Sequence, residues 1–239
     1  EMCIRDRTES ILETLKRLEM DSDGEIILQS QRTQRYEEVF QQLKDQHHVY
    51  GCSCSRSEIQ KANALTGLPL SHYPGTCRKG SLHTIRAWRF LTDSTPITFN
   101  DRWLGSFSQN VEQEVGDFII KRADGLFAYQ LAVIVDDHDQ GVNHIVRGAD
   151  LLDNTPRQIA LYKALSYPIP QYMHIPLVLN EHNEKLSKQS GAHPLKDNLL
   201  EQCQWVWSFF GFSKVGAKSL SAFYRVAIEQ WQERFLPTH

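Results

Sequence analysis

The fold is decided by residues 143–180, NHIVRGADLLDNTPRQIALYKALSYPIPQYMHIPLVLN. The first part, NHIVRG (143–148), is typical of a strand, and TPRQIALYKALSY (155–167) carries apolar residues at helical spacing. QYMHIPLVLN (171–180) is the next expected strand. A strand, a helix and a strand in that order predict a βαβ unit, whose two strands pair in parallel. The sequence therefore predicts an α/β protein.

Helical signals lie inside this unit and upstream of it. Thr155 is the expected N-cap of the helix in the unit, with Pro156 at the first helical position. The stretches TESILETLKRLEM (8–20) and SQRTQRYEEVFQQLKDQ (30–46) each place apolar residues on one helical face. The apolar run YQLAVIVDD (129–137) fits a strand or a helix, because periodicity does not separate the two here.

The composition is that of an ordinary globular protein. Of 239 residues, 41% are hydrophobic and 23% are charged, and the formal net charge is -3. This balance argues against a globally basic nucleic-acid-binding protein but leaves room for a local basic patch. No apolar run approaches the roughly 18 residues of a membrane span, and the N-terminus lacks the apolar region of a signal peptide. We expect a cytoplasmic protein without a membrane partner.

Residues 49–117 differ in amino-acid composition from the segments around them. They are richer in Gly, Pro, Ser and Thr, and their apolar runs are short. Two of these runs, TIRAWRF (84–90) and PITFND (96–101), are expected to be strands.

This segment contains three of the five cysteines of the chain. Cys52 and Cys54 lie two residues apart, which in an extended chain places both thiols on one face. A Pro-Gly turn then leads to Cys77. Three thiolates match the ligands that zinc prefers, and either His72 or Tyr73 is available as a fourth ligand. From spacing alone, three reduced cysteines without metal are an equal alternative.

The stretch NEKLSKQSG (183–191) places Lys185 and Lys188 on a short polar loop after an expected strand. Pairs of lysines are common on solvated loops and usually have no chemical role. The position favours a second interpretation, because ligands of open α/β sheets bind beyond the carboxyl ends of the strands.

Residues 116–189 closely resemble the glutamyl-Q tRNA(Asp) synthetases, which are shortened paralogues of the class I glutamyl-tRNA synthetases. The resemblance extends more weakly from Thr8 to the C-terminal region. Within it, KLSKQ looks like the family's form of the KMSKS loop. The resemblance implies that Lys188 contacts ATP, with Lys185 in support, so that both stabilise charge on the departing pyrophosphate.

The resemblance also implies a glutamate pocket. Tyr129 in LFAY and Arg147 in IVRGAD match the family's glutamate-binding tyrosine and arginine. A planar guanidinium holds a carboxylate through two parallel hydrogen bonds, so Arg147 suits an acidic substrate. The alternative is that Arg147 pairs with Asp150 or another carboxylate of the protein.

For the thiols, the resemblance implies a structural zinc site with Cys52, Cys54, Tyr73 and Cys77 as ligands. His72 is then only a neighbour of the site. The family's insertion that grips the tRNA acceptor end corresponds to residues 49–117, and the zinc would fix its irregular chain.

Four domains are expected on this basis. They are a remnant of the N-terminal catalytic half (1–48), the zinc-bearing insertion (49–117), the second half of the Rossmann-like catalytic core (118–195) and a helical region (196–239).

The opening of the chain departs from the family pattern. Class I synthetases begin with a Rossmann strand and an ATP-binding HIGH motif, and EMCIRDR (1–7) matches neither. We interpret the chain as a catalytic core without its first part, and expect residues 1–239 alone to show no measurable glutamate activation.

The activity implied for the full enzyme is ATP-dependent activation of glutamate and its transfer to the queuosine base of tRNA(Asp), by a monomer. Two alternatives stay open. One is a fragment of a standard glutamyl-tRNA synthetase, which charges the tRNA 3′ end. The other is a non-catalytic RNA-binding remnant.

Overall fold

The computed structural model describes residues 4–81, 83–186, 195 and 197–236. Its helices are α1 (Ile4–Arg17), α2 (Thr33–Asp45), α3 (Arg56–Thr66), α4 (Val111–Glu114), α5 (Tyr129–Asp139), α6 (Thr155–Ala164), α7 (Leu199–Phe209) and α8 (Leu220–Phe235). Its strands are β1 (Val49–Cys52), β2 (Ala87–Phe90), β3 (Ile97–Asp101), β4 (Gly105–Gln109), β5 (Ile119–Lys121), β6 (His144–Gly148) and β7 (Gln171–Ile175). The chain forms two compact units, residues 27–175 and residues 1–26 with 176–239.

The predicted βαβ unit is present in the first of these units. Strand β7 pairs in parallel with β6 and with β3, and β4 adds an antiparallel edge, which gives the order β4-β3-β7-β6. The register places Arg147 of β6 opposite His174 of β7. The fold is α/β with a parallel sheet, as predicted.

A second, antiparallel sheet has the order β1-β2-β5. One continuous apolar core joins both sheets to helices α2, α5 and α6. The apolar face of α2 predicted from the sequence is buried in it, through Tyr36, Val39, Phe40 and Leu43. The expected strands within 84–90 and 96–101 are β2 and β3.

The ambiguous run 129–137 is a helix, α5. Its acidic end is tied to α2 by ion pairs, with 2.6 Å from Arg32 Nε to Asp136 Oδ1 and 2.8 Å from Arg35 Nε to Asp139 Oδ2. Acidic residues three apart lie on one face only in a helix, so these partners on α2 decide the conformation.

Two local predictions need correction. The N-cap of α6 is Asn154 rather than Thr155, which is the first residue of the helix and is fully buried. Strand β7 ends at Ile175 rather than continuing to 180. The next residue is Pro176, which has no backbone N–H to donate to a neighbouring strand.

The other unit is helical apart from a short hairpin. Helices α7 and α8 surround a small apolar cluster that includes Val215, Phe223 and Ala227. The hydroxyl of Tyr224 donates to the carbonyl of Leu18 across 2.6 Å, which ties α8 to the segment after α1. None of the helices in the described residues has the length and hydropathy needed to span a membrane. The four domain boundaries stay predictions, and β3 and β4, inside the predicted insertion, belong to the four-stranded sheet.

Candidate functional site

Arg147 lies in β6 and is held by neutral groups. Its Nε atom donates to Nε2 of His174 across 3.1 Å, and its Nη2 atom donates to Oγ1 of Thr155 across 2.7 Å. A longer contact of 3.5 Å joins Nη2 to the carbonyl of Leu151. The acceptors found among the described residues are thus His174, Thr155 and a backbone carbonyl, rather than the protein carboxylate considered from the sequence.

His174 is in turn fixed by Asp101 of β3. The distance between His174 Nδ1 and Asp101 Oδ2 is 2.6 Å, and both side chains are completely buried. Burial lowers the pKa of His174 and outweighs the opposite effect of Asp101. Burial alone would raise the pKa of Asp101, but hydrogen bonds from the Leu104 amide and His174 bring it below the usual range. The pair is therefore a neutral imidazole beside a carboxylate.

Tyr129, the other predicted glutamate ligand, begins α5 and is 45% exposed. Tyr129 and Arg147 both influence the pKa of Tyr172. Burial is the largest cause of the raised pKa of Tyr172, while Arg147 lowers it and Asp137 and Tyr129 raise it. The guanidinium carbon of Arg147 lies 5.4 Å from the centre of the Tyr172 ring. The structure thus brings the two predicted residues to the surroundings of one buried tyrosine.

Asp137 adds a carboxyl group to these surroundings. Burial raises its pKa to about 6, with Arg147 acting in the opposite direction and Asp136 in the same one.

The three predicted thiols lie together. The sulfur atoms of Cys52, Cys54 and Cys77 are all within 4.8 Å of one another. Those of Cys54 and Cys77 are 3.5 Å apart, and the Tyr73 hydroxyl lies 3.3 Å from the Cys52 sulfur and 3.9 Å from the Cys54 sulfur. His72 is buried but does not belong to this group of donor atoms within the described residues.

These distances fit a tetrahedral metal site. A zinc–sulfur bond of about 2.3 Å places the thiolates of a tetrahedron roughly 3.8 Å apart, close to the separations found here. Burial raises the pKa of Cys77, but hydrogen bonds, first from Tyr73, bring it down to about 6. The pKa of Cys54 is raised to about 11, mainly by burial and then by a hydrogen bond with Cys77. The Cys77 thiolate is therefore ready to bind a metal, whereas the Cys54 thiol would lose its proton on binding.

The segment that carries Cys77 is anchored by Asp117. This carboxylate is buried and accepts two hydrogen bonds of 2.6 Å from Arg78, one from Nε and one from Nη2. It also accepts 2.8 Å hydrogen bonds from the amide and the hydroxyl of Thr92. Asp117 thus connects the cysteine loop to the antiparallel sheet.

The lysine loop is described only in part, because Lys188 lies outside the described residues. Lys185 lies in a short hairpin, where it forms an antiparallel bridge with Leu179. The amide of Leu186 donates to the carbonyl of Val178 across 2.9 Å. The turn of the hairpin includes Asn183, whose φ of 59° is in the left-handed region that asparagine tolerates.

Sequence analysis missed Asp101, His174 and Asp117. A signal was present for two of them, because Asp101 and His174 are polar residues within apolar strands. A buried polar side chain requires a partner, but the sequence does not show which one.

The comparisons with known proteins agree with this architecture. The family described as tRNA synthetases class I (E and Q), catalytic domain, matches residues 2–205. A glutamyl-Q tRNA(Asp) synthetase of Janthinobacterium sp. (strain Marseille) is 46% identical, and the match covers 97% of this chain and 82% of that protein. The protein of the same name from Cupriavidus metallidurans is also 46% identical, with 97% and 77% covered.

Among solved structures, the crystal structure of a glutamate tRNA ligase from Elizabethkingia meningosepticum CCUG26117 in complex with its amino acid is similar, with a TM-score of 0.66 and 25% identity. The match covers 77% of this chain and 42% of that chain, so this chain spans less than half of the ligase. The sequence match, the curated relatives and the fold lead to one conclusion: the chain belongs to the class I tRNA synthetases of the glutamate and glutamine type.

Proposed function

We propose that this protein uses ATP to activate glutamate and transfers the glutamyl group to the queuosine base of tRNA(Asp). The names of its relatives and its family membership support the reaction class. In the structure, the proposal rests on the hydrogen bonds of the Arg147 guanidinium. This guanidinium is held by His174 and Thr155, both neutral, so its charge is available to a substrate carboxylate.

Glutamate would be selected by this charge. The side chain of glutamate differs from that of glutamine in carrying a carboxylate, and a guanidinium binds a carboxylate through charge-assisted hydrogen bonds. Tyr129, exposed at the start of α5, would contribute a hydroxyl to the same pocket. Loss of a partner for Arg147 when glutamine binds would favour glutamate.

The lysine loop would contact the phosphates of ATP. Negative charge builds on the phosphates when the carboxylate of glutamate attacks the α-phosphate and pyrophosphate leaves. Lys188 is proposed to contact ATP and Lys185 to support it, which stabilises that charge. Exposure of Lys185 on a polar hairpin is compatible with this role.

Zinc is proposed to be structural. Cys52, Cys54, Tyr73 and Cys77 would hold it, and the metal would cross-link the start of the 49–117 segment to the loop that follows Tyr73. The close approach of the three sulfur atoms and the Tyr73 hydroxyl supports this assignment. We propose that the segment so fixed binds the RNA.

The proposal is tested on a version extended by a HIGH-bearing N-terminal segment, because residues 1–239 alone are expected to show no glutamate activation. The assay uses radiolabelled glutamate, ATP and three forms of tRNA(Asp). One form contains queuosine, one lacks it, and one contains queuosine but lacks the 3′-terminal adenosine. Transfer to the first and third forms but not to the second is expected. Transfer that requires the terminal adenosine and ignores queuosine would instead identify a glutamyl-tRNA synthetase. RNA binding without any glutamate transfer would favour the non-catalytic alternative.

A further inference from the structure

We propose that Asp101 and His174 are positioning residues for substrate selection. Asp101 holds His174 in the tautomer that carries its proton on Nδ1, and the bare Nε2 of His174 then holds the guanidinium of Arg147. The inference rests on the proposed role of Arg147 in binding glutamate. It assigns the selectivity of the pocket to a buried pair that does not touch the substrate.

The proton on His174 is located by its neighbours. A guanidinium Nε always carries a hydrogen and donates it, so His174 Nε2, 3.1 Å from Arg147 Nε, must accept. A neutral imidazole with a bare Nε2 carries its proton on Nδ1. That proton faces Asp101 Oδ2 across 2.6 Å, where a carboxylate accepts it. The Thr155 hydroxyl, 3.1 Å from Nε2, is also compatible with an acceptor there.

Asp101 is itself locked in place. Its Oδ1 atom accepts from the amides of Trp103 at 3.0 Å and Leu104 at 2.9 Å. The amide of His174 donates to both carboxylate oxygens, at 3.1 and 3.0 Å. These donors fix which oxygen faces the imidazole, and they favour the ionised carboxylate. The proton of His174 is therefore held on one nitrogen by the backbone around Asp101.

The sheet places the three residues in line. Asp101, His174 and Arg147 lie on β3, β7 and β6, which are adjacent in the sheet. Arg147 and His174 are direct partners in the parallel register. The chain of contacts occupies Nε and Nη2 of Arg147, whereas Nη1 donates to none of the described residues. One edge of the guanidinium is thus fixed, and Nη1 is available to a substrate carboxylate.

The decisive variant is Asp101→Asn, which keeps the size of the side chain. The backbone amides hold the carbonyl oxygen of Asn, so its NH2 group faces His174 Nδ1 and donates to it. The proton of His174 then moves to Nε2, where it opposes the Nε–H of Arg147. Such a change of tautomer preserves the geometry of a catalytic site and still impairs it, as the Asp-to-Asn change in the serine protease triad demonstrates.

The measured quantity is the dissociation constant for glutamate, by calorimetry on the full chain. We expect Asp101→Asn to weaken glutamate binding roughly tenfold to a hundredfold and to reduce the preference for glutamate over glutamine. The matched control is Asp93→Asn, an exposed carboxylate outside the Asp101–His174–Arg147 series that accepts a hydrogen bond from the Thr95 amide at 2.8 Å. It should leave both quantities unchanged. If wild-type protein binds glutamate and Asp101→Asn binds it equally well, the inference is wrong.

A second measurement does not depend on glutamate binding. Nitrogen NMR of labelled wild-type protein, with His174 assigned from His174→Gln, should show the Nδ1–H tautomer, and the Nε–H of Arg147 should exchange slowly with solvent. In Asp101→Asn, the proton should appear on Nε2 and the exchange of Arg147 should become faster. An Nε2–H tautomer in the wild type would overturn the inference. Absence of glutamate binding by wild-type protein with the expected tautomer would contradict the proposed function instead.

Discussion

The guanidinium of Arg147 donates a hydrogen bond to the hydroxyl of Thr155, with 2.7 Å between Nη2 and Oγ1. Thr155 is the first residue of α6, so the cation lies at the N-terminal end of that helix. Partial positive charge gathers at a helix N-terminus, and it disfavours a cation unless an anion is also present. The relationship between these two residues therefore favours the binding of a carboxylate.

In a full-length version, replacement of Arg147 by Leu should weaken glutamate-dependent ATP–pyrophosphate exchange by about a hundredfold, because the carboxylate loses its charged partner. Arg147→Lys should recover only part of the loss, since an ammonium lacks the planar fork of donors. The midpoint temperature of thermal unfolding should change little. Arg122→Leu is the control, because Arg122 is exposed and pairs with Asp124. Unchanged exchange kinetics in Arg147→Leu would assign Arg147 a purely structural role.

Protein purified without chelator should contain about one zinc per chain. Cys54→Ser should lower this content strongly and destabilise the protein, because a structural metal contributes directly to folding. Cys203→Ser is the matched control, since Cys203 lies on α7 in the other unit. Full zinc content in Cys54→Ser, measured by elemental analysis, would refute the assignment.

The fourth zinc ligand is tested separately. Tyr73→Phe removes only the hydroxyl that lies beside the thiols and should weaken zinc retention against a chelator. His72→Ala should have no such effect. The reverse result would make His72 the ligand.

The lysine loop is tested through ATP. In a full-length version, Lys188→Ala should abolish glutamate-dependent pyrophosphate exchange. Lys185→Ala should reduce the exchange less. Both variants should bind glutamate normally, because the lysines are expected to act on the departing phosphates. Equal exchange rates for the wild type and Lys188→Ala would contradict the proposed role of the loop.

Asp137 predicts a dependence of stability on pH. Its pKa in the folded protein is raised to about 6 by burial, above the usual value near 4 in the unfolded chain. Between about pH 4 and pH 6 the folded state holds a proton that the unfolded state has lost, so stability decreases as pH rises through this window. Asp137→Asn should therefore raise the free energy of unfolding at pH 7.5 by on the order of 1 kcal/mol and have little effect at pH 4.

The control for that experiment has the opposite sign. The pKa of Asp139 is lowered, first by the hydrogen bond from Arg35, so its carboxylate stabilises the folded protein at neutral pH and loses this effect as pH falls. Asp139→Asn should be destabilised at pH 7.5 and approach the wild type in acid. Urea unfolding at the two pH values measures both variants. A loss of stability in Asp137→Asn at pH 7.5 would contradict the assigned cause of its shifted pKa.

Local sequence patterns were sufficient for several elements of the fold. The spacing of Tyr36, Val39, Phe40 and Leu43 predicts α2, and all four residues are buried. The order of strand, helix and strand in 143–180 predicts the parallel pairing of β6 with β7, which is confirmed. These predictions succeed because helix periodicity and the parallel pairing within a βαβ unit depend on residues close together in sequence.

The sequence by itself thus determined the fold class, helices α2 and α6, and the resemblance that points to a tRNA synthetase. Only the tertiary structure decided that 129–137 is a helix, because its partners Arg32 and Arg35 lie about a hundred residues away in sequence. It also decided that Thr155 bonds Arg147 rather than capping α6. Asp101 and His174 are separated by 73 residues and meet only when β3 and β7 pair. Strand register determines such contacts, and a single sequence does not specify the register between distant strands.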